Sequence, residues 1–83
     1  MTFSQHSLDK LEIYGISREV IVESLGLPLY EFQDVVEGSR IKVVQVEQAM
    51  FVLVVNAISE NVITIYRTDV RTVSNRREAN RWV

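Results

Sequence analysis

The single histidine of this chain lies four residues before a lysine, in a segment without proline or glycine. On a helix, His6 and Lys10 are one turn apart and share a face. An imidazole can accept or donate a proton near neutral pH, and an ammonium group beside it can hold a phosphate. The pair predicts a proton-transfer site for a phosphate-containing substrate. The alternative is that His6 is a solvated or sheet-packed residue at a helix N-terminus.

A second pair of candidates, Tyr66 and Arg67, ends the last clear strand pattern, Val62 to Arg67. A guanidinium binds phosphate through two parallel hydrogen bonds and can neutralise the charge that develops on the phosphorane during cleavage. Tyr66 could stack on a base or relay a proton. Arg40, on an earlier strand, could extend the same site. The alternatives are an ordinary sheet-face tyrosine, a solvated Arg67 and an edge-protecting Arg40.

The charges of the chain are unevenly distributed. Residues 67–83 have a net charge of +3, whereas residues 1–66 have −5, so that the whole chain carries −2. This basic C-terminal tail predicts a surface for RNA phosphates, whose affinity would fall steeply with salt, or for acidic groups of a partner or of the chain itself. The candidate phosphate- or RNA-binding residues are Arg40, Arg71, Arg76, Arg77 and Arg81.

The composition excludes several kinds of site. With no cysteine and one histidine, the chain has neither a disulfide nor the usual donors of a metal centre, so we expect no metal and no cofactor. The three glycines stand at turn positions and form no phosphate-cradling loop. The longest apolar run, Ala49 to Val55, is far shorter than the ~20 residues of a membrane-spanning helix. No secretion-signal pattern is visible, so we expect a cytoplasmic location without membrane contact.

The pattern of the chain predicts an α+β fold in a single domain, residues 1–83, with residues 68–83 as the basic tail. Two N-terminal helices, capped by Ser4 and Ser17 and separated at Gly15, should pack on one face of a four-stranded antiparallel sheet. A short C-terminal helix capped by Ser74 should follow. The predicted helices are 4–14, 17–25 and 75–82, and the predicted strands are 30–37, 40–46, 50–58 and 62–67.

An ordered series of motifs resembles a family of small bacterial domains related to RelE-type toxins. The N-terminal part of the series is Phe3, His6 and Lys10, followed by the turn Gly15-Ile16-Ser17. The C-terminal part is the strand Val52-Leu53-Val54-Val55 and then Val62-Ile63-Thr64-Ile65-Tyr66. The segment Ser74-Asn75-Arg76-Arg77-Glu78 is similar to the arginine-rich ending of BrnT toxins, which are cousins of this family.

The resemblance implies a RelE-like fold and a metal-independent endoribonuclease that cleaves RNA by transesterification. It also implies a cognate antitoxin protein as partner. Combined with the chemistry of the candidate residues above, it predicts His6, Lys10, Arg67 and Tyr66 as the catalytic set. Two alternatives remain open. The chain could be a non-catalytic protein-interaction module, with self-association as one form of that interaction. It could also be a decayed toxin, since Glu12-Ile13-Tyr14 stands where a basic residue commonly precedes the glycine turn.

Overall fold

The computed structural model describes all 83 residues, Met1–Val83, as an α+β fold with three helices and a five-stranded mixed sheet. The spatial order of the strands is β1-β5-β4-β3-β2. The elements along the chain are β1 (Thr2–Phe3), α1 (Gln5–Tyr14), α2 (Arg18–Ser24), β2 (Tyr30–Gln33), β3 (Arg40–Val46), β4 (Ala49–Val55), β5 (Asn61–Thr68) and α3 (Val70–Glu78).

The first two helices begin and end where their local signals indicate. Ser4 caps α1 by accepting a hydrogen bond from the Ser7 N–H, and Ser17 caps α2 through the Val20 N–H. Gly15 ends α1 with φ at 69°, a left-handed conformation that costs glycine little. These three predictions are confirmed. The helices lie on one face of the sheet, α1 against β5 and α2 against β3.

The sheet differs from the predicted four-stranded antiparallel arrangement. Strands β2 to β5 form an antiparallel meander, but Thr2–Phe3 adds a fifth strand that runs parallel to β5. The Ser4 N–H also donates to the Val62 carbonyl at 2.9 Å, which continues this pairing into the cap of α1. Two residues are too few to show an alternating pattern in the sequence, so this strand was not predicted. It forms because the free edge of β5 offers unpaired backbone groups to Thr2 and Phe3.

Strand β5 contains a bulge that changes which residues face the core. The register with β4 shifts from Val54↔Thr64 to Val55↔Val62, which leaves Ile63 unpaired. Val62 and Ile65 are therefore both fully buried, whereas Ile63 remains 39% exposed. A regular strand would place Ile63 on the same face as Ile65, and the bulge prevents this.

Both faces of the sheet are covered. On the α1–α2 face the core includes Leu11, Ile21 and Phe51, and on the opposite face it includes Val52, Val73 and Trp82. Strand β4 contributes alternate residues to the two clusters, as expected for a central strand whose sequence is almost entirely apolar.

Helix α3 covers the second face and begins earlier than predicted. Asp69, not Ser74, is its N-cap, and the Asp69 carboxylate accepts the Thr72 N–H at 2.7 Å. The helix ends at Glu78, so Trp82 lies outside it, in a bridge with Asp34. In this bridge the Gln33 and Val83 backbones exchange hydrogen bonds of 2.8 and 3.0 Å. The C-terminal segment thus covers part of the β2 edge.

Candidate functional site at the end of strand β5

The basic C-terminal tail is partly neutralised by the chain itself. The Arg81 Nε–H lies 3.0 and 3.1 Å from the two carboxylate oxygens of Asp34, which is buried. The same carboxylate accepts the backbone N–H groups of Val36 and Glu37 at 2.9 and 3.0 Å. Burial alone would raise the pKa of Asp34, but these donors outweigh it and lower the pKa below its usual value. Arg81 is therefore committed to an internal ion pair.

Two further tail arginines lie over aromatic rings of the second face. The Arg76 guanidinium carbon is 5.8 Å from the centre of the Trp82 ring, and that of Arg77 is 5.5 Å from the centre of the Phe32 ring. Contacts of this length are cation–π interactions. Arg76, Arg77 and Arg81, which the sequence suggested as phosphate ligands, thus all have partners within the chain.

Four of the nine basic side chains have neither an ion pair nor an aromatic ring as partner. Besides Arg76, Arg77 and Arg81, two basic residues have a partner. The Lys42 Nζ lies 3.2 Å from a carboxylate oxygen of Glu31, and the Arg18 guanidinium lies over the Phe3 ring. A cation without an internal partner is available to a ligand, so this distinction selects among the candidate residues. The four unpaired cations are Lys10, Arg40, Arg67 and Arg71.

The unpaired arginines lie at two ends of the sheet. Arg67 is close to the end of β5, and Arg71 follows in the first turn of α3. Arg40 begins β3 and pairs with Val55, which in turn pairs with Val62 at the start of β5. Five residues of strand, about 17 Å, separate Val62 from Arg67. Arg67 and Arg71 therefore lie at one end of the sheet and Arg40 at the other.

His6 and Arg67 lie near opposite ends of helix α1. Helix α1 begins beside the start of β5, where the Ser4 hydroxyl donates to the Ile63 carbonyl at 2.7 Å. It ends near Arg67, whose backbone N–H donates to the Tyr14 hydroxyl oxygen at 3.3 Å. His6 precedes Tyr14 by eight residues, which is about 12 Å along the helix axis. The structure does not place the exposed His6 and Arg67 around one phosphate.

Tyr66 and Arg67 point to opposite faces of β5. The Tyr66 ring packs against the core cluster of the second face, whereas Arg67 faces the end of α1. Burial raises the pKa of Tyr66, and the Asp34 charge adds to this, while Arg76 and Arg81 oppose it. The phenol is therefore fully protonated at neutral pH and can donate a hydrogen bond, but it is a poor base.

Two clefts meet at Arg67. The larger, of about 810 Å³, lies between the β3–β4 hairpin and the start of α3 and includes Tyr66, Thr68 and Gln48 in its wall. The smaller, of about 410 Å³, is bounded by the end of α1 and the hairpin tip and includes Tyr14 and Glu47. Arg67 is the one charged side chain that lines both clefts. It is the centre of the candidate site.

Sequence reasoning identified Arg67 and missed Tyr14 and Glu47. The three residues come from a helix end, a hairpin turn and a strand end, and no local motif connects them. The register of the sheet brings them together, because Phe51 pairs with Arg67 and packs its ring edge-on against Tyr14 at 5.3 Å. The only local signal was a glutamate in a tight turn between two strand patterns.

No three His, Cys, Asp or Glu side chains lie close enough together to hold a metal ion. None of the helices has the length and apolar composition needed to cross a membrane. No protein-family model, curated protein or solved structure matches this chain. A functional assignment therefore depends on the side chains around Arg67.

Proposed function

We propose that this chain is the toxin of a toxin–antitoxin pair, with a RelE-like fold, and that it cleaves RNA without a metal ion. The observation that carries the proposal is the position of Arg67, which is exposed, has no internal partner and lines two clefts. Arg71, four residues along the chain and also unpaired, adds a second positive charge at the same end of the sheet. An unpaired arginine that lines two clefts, with a second unpaired arginine close by in sequence, favours a phosphodiester substrate.

The reaction is an internal transesterification. The 2′-oxygen of a ribonucleotide attacks the adjacent phosphorus, the bond to the 5′-oxygen of the next nucleotide breaks, and a 2′,3′-cyclic phosphate remains. Charge accumulates on the non-bridging phosphate oxygens in the transition state, and the Arg67 guanidinium stabilises it there. On the other side of β5, the protonated Tyr66 hydroxyl can donate to a base or a phosphate in the larger cleft.

His6 and Lys10 have a different part in this proposal from the one expected of them. They share a face of α1, and His6 lies about 12 Å from the helix end that contacts Arg67. A strand of RNA along α1 can reach both places, with Lys10 on a neighbouring phosphate. We therefore assign His6 to contact with the RNA chain and not to the phosphate held by Arg67.

The proposed antitoxin would inhibit by covering Arg67 and Arg71 with acidic side chains. Such pairing suits two exposed arginines without internal partners, because it neutralises both charges and blocks both clefts. The proposal places the reaction in the bacterial cytoplasm, where the RNA is.

A non-catalytic interaction module is the second candidate, and one observation favours it. Several large apolar side chains on and after α2 are exposed, including Val22 and Leu27, the latter at 87%. Exposed apolar groups that lie near one another are typical of protein contacts, including self-association. On this reading the chain binds a partner protein or a second copy of itself, and a decayed toxin would behave in the same way.

Tightly controlled expression in a bacterial host separates the two candidates. We expect the parent to arrest growth and Arg67→Ala to abolish the arrest, because loss of one charge-stabilising donor slows such a reaction about 100- to 1000-fold. Arg40→Ala is the matched control, since this equally unpaired arginine lies at the other end of the sheet, and it should arrest growth like the parent. His6→Ala should weaken the arrest without abolishing it.

Growth is followed together with the soluble level of each variant and the 5′ ends of cellular RNA. Arrest by the parent with new RNA ends, lost in Arg67→Ala at equal soluble level, supports the toxin. Normal growth and unchanged RNA with a folded, self-associating parent contradict it and support the interaction module.

A further inference from the structure

Glu47 has a backbone conformation that its side chain does not favour. It lies in the two-residue turn between β3 and β4, with φ at 56°. Residues with a Cβ rarely adopt this left-handed conformation, which glycine adopts at no cost. A hydrogen bond of 3.1 Å from the Gln45 side-chain amide to the Glu47 carbonyl oxygen supports the turn. Strained positions of this kind are frequent at functional sites.

The strained turn places the Glu47 side chain beside the smaller cleft. Tyr14 and Arg67 line the same cleft, and the Tyr14 hydroxyl is joined to the Arg67 backbone N–H. No ion pair within 4.0 Å connects Glu47 with Arg67 or with any other cation. The cleft, of about 410 Å³, thus combines a carboxylate and a guanidinium that do not neutralise each other. A cleft of this volume is large enough for a phosphate group with its neighbouring hydroxyl.

We propose that the Glu47 carboxylate is the general base of the cleft and that its substrate is a ribonucleotide linkage of single-stranded RNA. This inference rests on the proposed ribonuclease function and adds the group that starts the reaction. Glu47 takes the proton of the 2′-hydroxyl while the 2′-oxygen forms its bond to phosphorus. The bond from phosphorus to the 5′-oxygen breaks, and that oxygen takes a proton from water. The hydroxide that remains takes the proton from Glu47, which restores the carboxylate. Arg67 holds the non-bridging oxygens throughout.

The predicted catalytic set contains no group close to Arg67 that can remove the 2′-hydroxyl proton, and Glu47 supplies one. His6 is about 12 Å along α1 from the end that contacts Arg67, and Tyr66 is held in its protonated form by its raised pKa. Glu47 is the one carboxylate in the wall of the smaller cleft. A base must come within hydrogen-bond reach of the proton that it removes. Asp69 lines the larger cleft with Arg67, but its carboxylate accepts the Thr72 N–H as the N-cap of α3. Glu47 is therefore the carboxylate beside Arg67 that is left to act as the base.

The chain contains a matched control for Glu47. Glu60 is also an exposed turn glutamate with positive φ, 58°, and it precedes β5 at the opposite end of the sheet. It lines none of the clefts of the molecule. If a strained turn glutamate matters only for the fold, the two positions should behave alike. If Glu47 is a base, substitutions at Glu47 and Glu60 should change stability alike, and only those at Glu47 should lower RNA cleavage.

The experiment measures cleavage of a reporter messenger RNA by the purified full chain, both free and in a reconstituted bacterial translation system. We expect Glu47→Gln to lower kcat about 100-fold or more with KM nearly unchanged, since general bases commonly contribute that much. Binding to a fluorescent 2′-O-methyl RNA oligonucleotide, which cannot be cleaved, should stay within about twofold of the parent. Arg67→Ala should lose both cleavage and affinity, and Glu60→Gln should match the parent.

Glycine variants separate catalysis from stability. Glu47→Gly and Glu60→Gly should both raise Tm by a few degrees, because glycine relieves the positive-φ conformation. Only Glu47→Gly should lose cleavage. If the parent cleaves RNA and Glu47→Gln cleaves at the parent rate, the role of Glu47 is overturned while the ribonuclease proposal stands. A parent that neither cleaves messenger RNA nor binds the oligonucleotide overturns both.

Discussion

Replacing Trp82 by alanine is expected to lower the free energy of unfolding by about 3–5 kcal/mol, the usual cost of truncating a buried tryptophan. Trp82 is only 3% exposed and stacks on Phe32, with ring centres 5.7 Å apart. Phe32 in turn stacks on Tyr30 at 5.8 Å, and Arg76 lies over the Trp82 ring. The substitution therefore removes the anchor of the core on the second face of the sheet.

The free energy lost in Trp82→Ala is large relative to the total stability of the domain. A domain of this length has about 4–12 kcal/mol of stability in total, so Trp82→Ala should leave it close to unfolding. Urea denaturation followed by far-ultraviolet circular dichroism is the suitable measurement, because the variant lacks the only tryptophan of the chain. Trp82→Phe is the control, and it should lose less because it preserves the stack. Equal urea midpoints for the parent and Trp82→Ala would show that the C-terminal segment is not part of the cooperative core.

Loss of the Asp34 carboxylate should have the second-largest effect. Asp34→Ala leaves the Arg81 guanidinium and the N–H groups of Val36 and Glu37 without their acceptor. We expect a loss of about 2–3 kcal/mol, because hydrogen bonds to a charged group are stronger than neutral ones. The neighbouring exposed Glu37 is the control, and Glu37→Ala should change stability by less than about 0.5 kcal/mol. Urea denaturation near neutral pH measures both.

The pH dependence of stability provides an independent check on Asp34. Its folded-state pKa is lowered from the usual 3.8, so the carboxylate stabilises the fold fully above that value. The contribution is lost as the pH falls through the folded-state pKa. The difference in unfolding free energy between the parent and Asp34→Asn should therefore shrink from about pH 6 to about pH 2.5. A difference that is constant over this range would contradict the lowered pKa of Asp34, which the Arg81 side chain and the N–H groups of Val36 and Glu37 produce together.

The elements that were predicted correctly depend on interactions within a few residues. Ser4, Gly15 and Ser17 act through caps that span three or four positions, and β3 was predicted with its observed bounds, Arg40–Val46. Local patterns of this kind are visible in the sequence because the partner groups are close along the chain. The α+β class follows from the order of these elements.

The start of α3 shows where local signals compete. The sequence analysis predicted Ser74 as the N-cap, although aspartate caps helices as well as serine does. The helix begins after Asp69, which places Val73 against the second face and leaves Trp82 free to stack on Phe32. Burial of these apolar side chains, which involves residues far apart in sequence, decides between the two caps.

By itself, the sequence determined the α+β class, the N-caps of α1 and α2 and the presence of Arg67 near the end of a strand. Only the tertiary structure decided which arginines have internal partners, because the acceptor for Arg81 is Asp34, 47 residues away. It likewise decided that Glu47 and Tyr14 share a cleft with Arg67, since the register of β3, β4 and β5 sets those distances. Local structure follows from hydrogen bonds within a turn, whereas a site follows from strand pairing and burial across the whole chain.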